Sequence, residues 1–270
     1  MKIEFTKMHG AGNDYVYVNC LDFDRLPFDP CLLAKTVSLR RYSIGSDGLV
    51  LICRDEKADA YMRMFNADGS EGMMCGNAVR CVARYLYDRG YCKKSDISIM
   101  TASGLKKTKI NSDKSVTVDM GYALLGERSK LAICGRIWDV MRVSTGNPHA
   151  VCFCGDIDRL DLETIGPAFE NAGPFGERVN AEFVKPAGGN RVKMRVWERG
   201  SGETLACGTG ACASVAAAVK AGYLQFSTEN EVELRGGTLR VVCTPDYRIY
   251  LTGDAVTVYD GVFEYAENQS

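Results

Sequence analysis

The chain has 270 residues, 46% hydrophobic and 25% charged, which is ordinary for a globular protein and enough for one large or two modest domains. Lys and Arg number 33 against 34 Asp and Glu, and this net charge of −1 argues against a nucleic-acid-binding surface. No run of 18 apolar residues occurs and the first residues do not resemble a signal peptide. We therefore expect a soluble, cytoplasmic protein with no membrane contact.

The predicted elements are mostly strands, interrupted by two helices. One helix begins at Cys75 and the other at Cys207, and Gly90 and Gly222 mark the positions just beyond their ends. In chain order, alternating or continuous apolar patterns predict strands at 15–19, 49–53, 61–65, 116–120, 150–153, 192–197, 231–234, 239–243, 248–252 and 256–258.

The sequence repeats itself across the two helix starts. Residues 62–77, MRMFNADGSEGMMCGN, align without gaps with residues 194–209, MRVWERGSGETLACGT. The identical pairs are Met62/Met194, Arg63/Arg195, Glu71/Glu203, Cys75/Cys207 and Gly76/Gly208, with a weaker upstream match of Gly12-Asn13 to Gly146-Asn147. Such a shared register indicates two related halves.

The duplication predicts an α+β fold of two pseudo-symmetric domains. Each would be a strongly curved, mostly antiparallel sheet around a central helix. We expect the first domain to contain residues 1–120 and 256–270 with Cys75, and the second to contain residues 121–255 with Cys207. The active site would lie in the cleft between them, where two-domain proteins commonly bind ligands.

The twelve cysteines show no Cys-x-x-Cys spacing, the commonest signature of zinc sites and thiol oxidoreductases. The nearest approach to a metal cluster is His149 with Cys152 and Cys154, but in a strand the histidine would face away from both cysteines. We predict no metal site, and we interpret all cysteines except Cys75 and Cys207 as small buried apolar residues.

Cysteine at a helix start has a distinctive chemistry. A helix N-terminus exposes unsatisfied N–H groups and about half a positive charge, so it binds carboxylates and stabilises thiolates. A thiol in this position can therefore be partly ionised at neutral pH, and we expect Cys75 and Cys207 to titrate as a coupled pair, because a second negative charge nearby is costly. One thiolate would remove the α-proton of an amino acid, and the other thiol would deliver a proton to the opposite face. The alternative is that both cysteines simply begin buried helices.

Several motifs resemble those of the diaminopimelate epimerase family, and they occur in that family's order. They are GAGND at 10–14, FNADGSE at 65–71 with MCGN at 74–77, GNPH at 146–149, ERVN at 177–180 and ERGSGETLACGTGA at 198–211. The resemblance implies an epimerase that works without pyridoxal phosphate or any other cofactor. It would convert LL-2,6-diaminopimelate, a small amino acid, into the meso isomer for lysine and peptidoglycan synthesis. A homodimer is left open.

The resemblance also assigns residues to roles. Cys75 and Cys207 correspond to the acid and base, and His149 and Glu198 to groups that assist the thiols. The implied substrate-binding residues are Asn13, Asn66, Gly76, Asn77, Asn147, Asn180, Glu198, Arg199, Gly208 and Thr209. Gly48 departs from the pattern, because some members of the family have a substrate-contacting glutamine there.

Other readings remain open. Proline racemase and hydroxyproline epimerase also use two cysteines as acid and base. An arginine such as Arg199, however, favours a substrate with a second carboxylate. A phenazine-pathway isomerase would share the architecture without needing both cysteines. A pyridoxal-phosphate enzyme would need a Schiff-base lysine, which sequence does not identify. A thiol-rich redox or zinc-binding module is the non-enzymatic alternative.

Overall fold

The computed structural model describes residues 1–23 and 25–266, so residues 267–270 of the expected first domain lie outside the described residues. The helices are α1 (Pro30–Ser38), α2 (Gly76–Asp88), α3 (Leu162–Glu170) and α4 (Gly208–Lys220), with a 3-10 turn at Gly173–Phe175. The strands are β1 (Lys2–Gly10), β2 (Asn13–Cys20), β3 (Gly48–Cys53), β4 (Ala60–Asn66), β5 (Glu71–Gly72), β6 (Asp96–Met100), β7 (Lys106–Ile110), β8 (Val116–Tyr122), β9 (Leu124–Ile133), β10 (Arg136–Ser144), β11 (Pro148–Phe153), β12 (Asn180–Pro186), β13 (Arg191–Glu198), β14 (Gly202–Glu203), β15 (Glu229–Leu234), β16 (Gly237–Cys243), β17 (Arg248–Gly253) and β18 (Val256–Glu264).

The chain divides into two compact units. The first contains Met1–Val118 together with the described residues from Gly253 onward, and the second contains Asp119–Thr252. Strand β18 returns to the first unit because it pairs antiparallel with β1. The α+β class with two similar domains is confirmed, as are all of the predicted strands and both predicted helices.

The two units have the same topology. In the first, β1 pairs with β18 and β2, and the sheet continues through β3, β4, β6, β7 and β8. In the second, β10 pairs with β9 and β11, and the sheet continues through β12, β13, β15, β16 and β17. Parallel pairs occur at equivalent places: β2–β3 and β4–β6 in the first unit, and β11–β12 and β13–β15 in the second.

Burial explains why the helices form where they do. Helix α4 is apolar and alanine-rich, with eleven buried residues, because the sheet of its own unit surrounds it on several sides. Helix α2 has nine buried residues and packs on β1, β4, β6 and β7. Gly90 and Gly222, which follow the two helices, have φ of +75° and +79°, the left-handed conformation that glycine adopts at low cost.

Helices α1 and α3 were not predicted, and they occupy equivalent positions on β3 and β12. The start of α1 carried a readable signal, because Asp29 accepts hydrogen bonds from the N–H groups of Cys31 and Leu32 and Pro30 is the first helical residue. Helix α3 contains Pro167, a residue that normally argues against a helix interior. Its apolar residues are held by the core of the second unit.

No helix among residues 1–23 and 25–266 is both long enough and apolar enough to cross a membrane.

Candidate active site

Both repeated cysteines are N-cap residues with extended backbones. Cys75 precedes α2 with φ −134° and ψ 121°, and Cys207 precedes α4 with φ −122° and ψ 112°. Each helix then begins with a glycine, so N–H groups at the first turn are open to a bound anion. The same β-turn-β-helix segment therefore presents one thiol and one set of N–H donors in each unit.

A bidentate ion pair connects the two strands on either side of the turn that precedes each cysteine. In the first unit the guanidinium of Arg63 donates to Glu71 at 2.7 and 2.9 Å, and in the second Arg195 donates to Glu203 at 2.8 and 2.9 Å. These four residues are among the identities that revealed the repeat. The duplication thus extends from the backbone to the hydrogen bonds that hold each turn.

The first half-site is defined here as Asn13, Asn66, Cys75, Gly76 and Asn77. The Cys75 sulfur donates to Asn13 Oδ1 at 3.3 Å, and the Asn77 amide donates to the same oxygen at 3.1 Å. Asn66 is the last residue of β4, and its amide donates to the Ser70 hydroxyl at 2.9 Å. The structure therefore brings Asn13, Cys75 and Asn77 together around one amide oxygen.

Charged residues fix the two amides of the first half-site. The Asn13 amide donates to Asp47 at 2.8 Å, and Asp47 also accepts a hydrogen bond from Arg40 at 3.0 Å. On the other side, the fully buried Arg80 donates to Asn77 Oδ1 at 2.7 Å. These hydrogen bonds fix the orientation of both side-chain amides. The Asn13 nitrogen faces Asp47, so its oxygen faces the Cys75 thiol.

Glycine is sterically required at position 48. A Cβ atom there would lie 2.0 Å from the carbonyl oxygen of Phe65 and 2.9 Å from the ring of Tyr15. The glutamine that some members of the family have at this position would clash with the Phe65 carbonyl oxygen. Position 48 therefore contributes no side chain to substrate binding in this protein.

The second half-site is defined as Asn147, His149, Asn180, Glu198, Arg199, Cys207, Gly208 and Thr209. The Cys207 sulfur lies 3.4 Å from the Thr209 hydroxyl and accepts a hydrogen bond from the Gly210 N–H at 3.3 Å. The Asn147 amide donates to the Thr209 hydroxyl at 3.4 Å, and Asn147 Oδ1 lies 3.0 Å from His149 Nε2. These side chains form one connected polar group.

Glu198, Asn180 and Arg199 lie together at the end of β13. The Glu198 carboxylate accepts a hydrogen bond from the Thr204 hydroxyl, and Asn180 Oδ1 accepts one from the Arg199 N–H at 2.9 Å. The Arg199 guanidinium donates to the carbonyl of Arg178 at 3.3 Å. The backbone of Arg199 is therefore fixed by Asn180, while its side chain lies in an exposed position.

At Cys207, burial of the sulfur opposes the ionisation that a helix start favours. Burial raises its pKa well above the ordinary value, and the negative charges of Glu198 and Glu182 raise it further. Hydrogen bonds from Thr209 and Gly210 act in the opposite direction but do not compensate. Burial also raises the pKa of Glu198, against hydrogen bonds from Thr204 and Cys207 that lower it. The helix N-terminus is outweighed here because two carboxylates lie close to one desolvated sulfur.

Glu182 was missed by sequence reasoning. Its side chain is fully buried in β12, and its Oε1 lies 2.6 Å from Nδ1 of the equally buried His149. The available signal was a single acidic residue within the otherwise apolar run of residues 181–184.

Within residues 1–23 and 25–266, no group of three or more His, Cys, Asp and Glu side chains is arranged to hold a metal ion. Cys152 instead lies in the apolar core of the second unit, away from the hydrogen bonds of His149. The candidate site thus offers thiols, amides, carboxylates and backbone N–H groups.

Known proteins resemble the chain over nearly its whole length. A sequence model described as diaminopimelate epimerase matches residues 5–125 and 141–258. A diaminopimelate epimerase of Acetivibrio thermocellus is 45% identical over 98% of this chain and 100% of its own. One from Methanococcus maripaludis is 43% identical over 96% of this chain and 99% of its own.

Solved structures share the fold at low identity. A PhzF-family phenazine biosynthesis protein of Bacillus anthracis has a TM-score of 0.78 at 16% identity, covering 98% of this chain and 100% of its own. A hydroxyproline epimerase of Agrobacterium vitis has a TM-score of 0.68 at 14% identity, covering 97% and 91%. The residues that the family model matches include both Cys75 and Cys207. The chain belongs to the diaminopimelate epimerase family.

Proposed function

We propose that the protein interconverts LL-2,6-diaminopimelate and meso-2,6-diaminopimelate without pyridoxal phosphate, using Cys75 and Cys207 as the two bases. The observation that carries the proposal is the repeated N-cap cysteine, which gives each unit a thiol at the first turn of a helix, where backbone N–H groups point outward. A two-base reaction needs two such positions, because a single base tends to return the proton to the face from which it came.

The proposed reaction moves one proton at a time. A cysteine thiolate removes the α-proton and becomes a thiol, while the C–H electron pair moves onto the α-carbon and its carboxylate. The other cysteine then gives its S–H proton to the opposite face and becomes a thiolate. N–H groups at the first turns of α2 and α4 would stabilise the growing negative charge on the carboxylate oxygens.

The two thiols have different surroundings, which supports different resting states. Cys207 is 5% exposed and has a raised pKa, because it is desolvated beside Glu198 and Glu182. Cys75 is half-buried and hydrogen-bonded to a neutral amide. We infer that the resting enzyme holds Cys207 as a thiol, ready to donate a proton.

The remaining predicted residues are proposed to select the substrate. Neutral amides such as Asn13, Asn147 and Asn180 bind ammonium and carboxylate groups without adding charge. The exposed guanidinium of Arg199 suits the distal carboxylate that proline lacks. The domain boundaries, the homodimer and the cytoplasmic location stay predictions, and sedimentation of the purified protein would test the dimer.

Proton NMR in D2O tests the proposal directly. Reduced wild-type protein should exchange the α-proton of LL-diaminopimelate and form the meso isomer, while proline and hydroxyproline should be unchanged. Cys75→Ala and Cys207→Ala should each lose epimerisation by roughly 10²–10⁴-fold, the usual contribution of a positioned acid or base. Exchange of the α-proton of proline, and not of diaminopimelate, would contradict the proposed substrate and indicate a proline racemase.

Cys81→Ala and Cys212→Ala serve as matched controls. Both cysteines are buried in the same two helices as the candidate bases, at positions where alanine keeps the helix. Their activity should stay within about twofold of the wild type, since neither is a residue of the half-sites. Equal loss in all four variants would count against a special role for Cys75 and Cys207.

A further inference from the structure

A fully buried carboxylate lies beneath the first turn of α4. Glu182 and His149 are both fully buried at their side chains, and Glu182 Oε1 lies 2.6 Å from His149 Nδ1. A Cβ added to Gly210 would lie 2.8 Å from the same carboxylate oxygen and 3.2 Å from the Cys207 sulfur. Glu182 therefore lies next to the turn that carries the candidate acid.

Hydrogen-bonded side chains connect Glu182 to the Cys207 sulfur. Glu182 contacts His149 Nδ1, and the opposite ring nitrogen, Nε2, lies 3.0 Å from Asn147 Oδ1. The Asn147 amide donates to the Thr209 hydroxyl at 3.4 Å, and that hydroxyl lies 3.4 Å from Cys207 Sγ. Both partners of the imidazole are acceptor oxygens, so the ring can hydrogen-bond to each of them only as a donor, and its orientation fixes where Asn147 Oδ1 lies.

The fold itself does not need a carboxylate at position 182. In the second unit Val151 is the register partner of Glu182, and in the first unit Tyr17 is the register partner of Val50. The equivalent of Glu182 in the repeat is thus the fully buried Val50. The first unit packs an apolar residue at the position where the second unit buries a charge.

Burying that charge is also costly. Of the two carboxylate oxygens of Glu182, Oε2 is buried without a hydrogen-bond partner among the described residues. Unpaired buried polar atoms destabilise a fold, and an ionised carboxylate is among the most expensive. A residue that costs stability and is not required by the scaffold is a candidate for a functional role.

We propose that Glu182 is a positioning residue for the epimerisation, acting through His149. By accepting the Nδ1–H, its carboxylate holds the imidazole in one orientation, with Nε2 facing Asn147 Oδ1, and so orders Asn147 and Thr209 against the Cys207 sulfur. The titratable groups around the imidazole and the sulfur are Glu182, Glu198 and Cys207. This inference rests on the proposed function of the same site.

Glu182→Gln is the first test, because it keeps the size of the side chain and removes its charge. The variant should lose roughly 10–100-fold in kcat in both directions, as the outer partners of functional histidines commonly do, with KM within about twofold. A rise in KM at unchanged kcat would overturn the proposal, since it would place Glu182 in substrate binding.

A double-mutant cycle tests whether Glu182 acts through His149. If it does, Glu182→Gln combined with His149→Gln should be no slower than His149→Gln alone, within about twofold. Multiplicative losses would show that the two residues act independently, which contradicts the proposal. Asp119→Asn, the same carboxylate-to-amide change at the 2.5 Å ion pair with Arg248, should lower Tm without changing kcat.

A measurement without substrate separates this inference from the proposed function. The chain has two histidines, so His9→Gln assigns the imidazole signals in ¹⁵N NMR. In the wild type, His149 should show a slowly exchanging Nδ1–H proton, and Glu182→Val, which copies Val50, should lose it. If the wild type shows that proton, Glu182→Val loses it and the wild type does not act on diaminopimelate, the positioning of His149 by Glu182 is supported while the substrate assignment fails. Retention of the proton in Glu182→Val would overturn the positioning role.

Discussion

The two half-sites share a backbone and differ in chemistry. Each places a cysteine before a 13-residue helix and follows it with glycine. Around Cys75 the neighbours are neutral amides fixed by Arg80 and Asp47, whereas Cys207 lies beside Glu198, Glu182 and the hydroxyl of Thr209. Duplication therefore sets where each thiol lies in its unit, and the divergence around Cys207 raises the pKa of that thiol.

The register shows where the two copies diverged. Strands β2–β3 and β11–β12 are equivalent parallel pairs, and three positions in them differ in side-chain chemistry. The equivalent residues there are Tyr15 and His149, Gly48 and Asn180, and Val50 and Glu182. At these positions the second unit carries a polar side chain where the first carries an aromatic, absent or apolar one.

The largest effect should come from Gly48, the position where the first unit carries no side chain. Gly48→Ala would place a methyl group 2.0 Å from the Phe65 carbonyl oxygen, so we expect a loss of about 3 kcal/mol or more in the free energy of unfolding. Asn180→Ala, at the equivalent position, should cost about 1 kcal/mol, the value of a typical hydrogen bond. Urea denaturation of both variants measures the difference, and equal losses would contradict the steric argument.

The repeated ion pairs should differ in strength. The side chains of Arg63 and Glu71 are 30% and 40% exposed, while those of Arg195 and Glu203 are 5% and 12% exposed. Glu71→Gln should therefore cost about 1 kcal/mol or less, and Glu203→Gln about 3 kcal/mol, because it leaves a buried guanidinium without its carboxylate. Denaturant midpoints at low and high salt test this, since only the exposed pair should be strongly screened.

Glu198 should affect the pKa of Cys207 in the second half-site and not the ionisation of Cys75 in the first. Its negative charge is one cause of the raised Cys207 pKa, so Glu198→Gln should lower that pKa. At fixed pH the fraction of thiolate then rises, and alkylation of Cys207 by iodoacetamide should become faster. Turnover should fall by roughly 10²-fold, the lower range for loss of an acid–base group. Slower alkylation of Cys207 in Glu198→Gln would contradict the prediction that the Glu198 charge raises the Cys207 pKa.

The last effect concerns a buried thiol of helix α2 and appears only at alkaline pH. Burial raises the pKa of Cys81 to about 11, above the value of about 8.5 for a thiol in the unfolded chain. A raised folded-state pKa stabilises the fold fully below about pH 8.5, and this contribution is lost as pH rises through about 11. Cys81→Ala should therefore flatten the decline of unfolding free energy between these two pH values, measured by urea titration at several pH values. An unchanged slope would contradict the prediction.

Helix prediction succeeded where a local pattern and the core agreed. Helices α2 and α4 were recognisable from their apolar stripes and their glycines, and both begin where predicted. Helix α3 was not, because Pro167 opposes it locally and the core contacts of Leu162 and Phe169 hold it together. Packing against distant strands overrode local propensity there.

The sequence by itself determined the duplication, the position of a cysteine at each helix start and the family, because these depend on order and spacing along the chain. Only the tertiary structure decided the environment of each thiol. The raised pKa of Cys207, the exclusion of any side chain at Gly48 and the pairing of Glu182 with His149 all arise from contacts between separate elements of the fold. Desolvation and steric overlap depend on which surfaces meet, and a linear pattern does not contain that information.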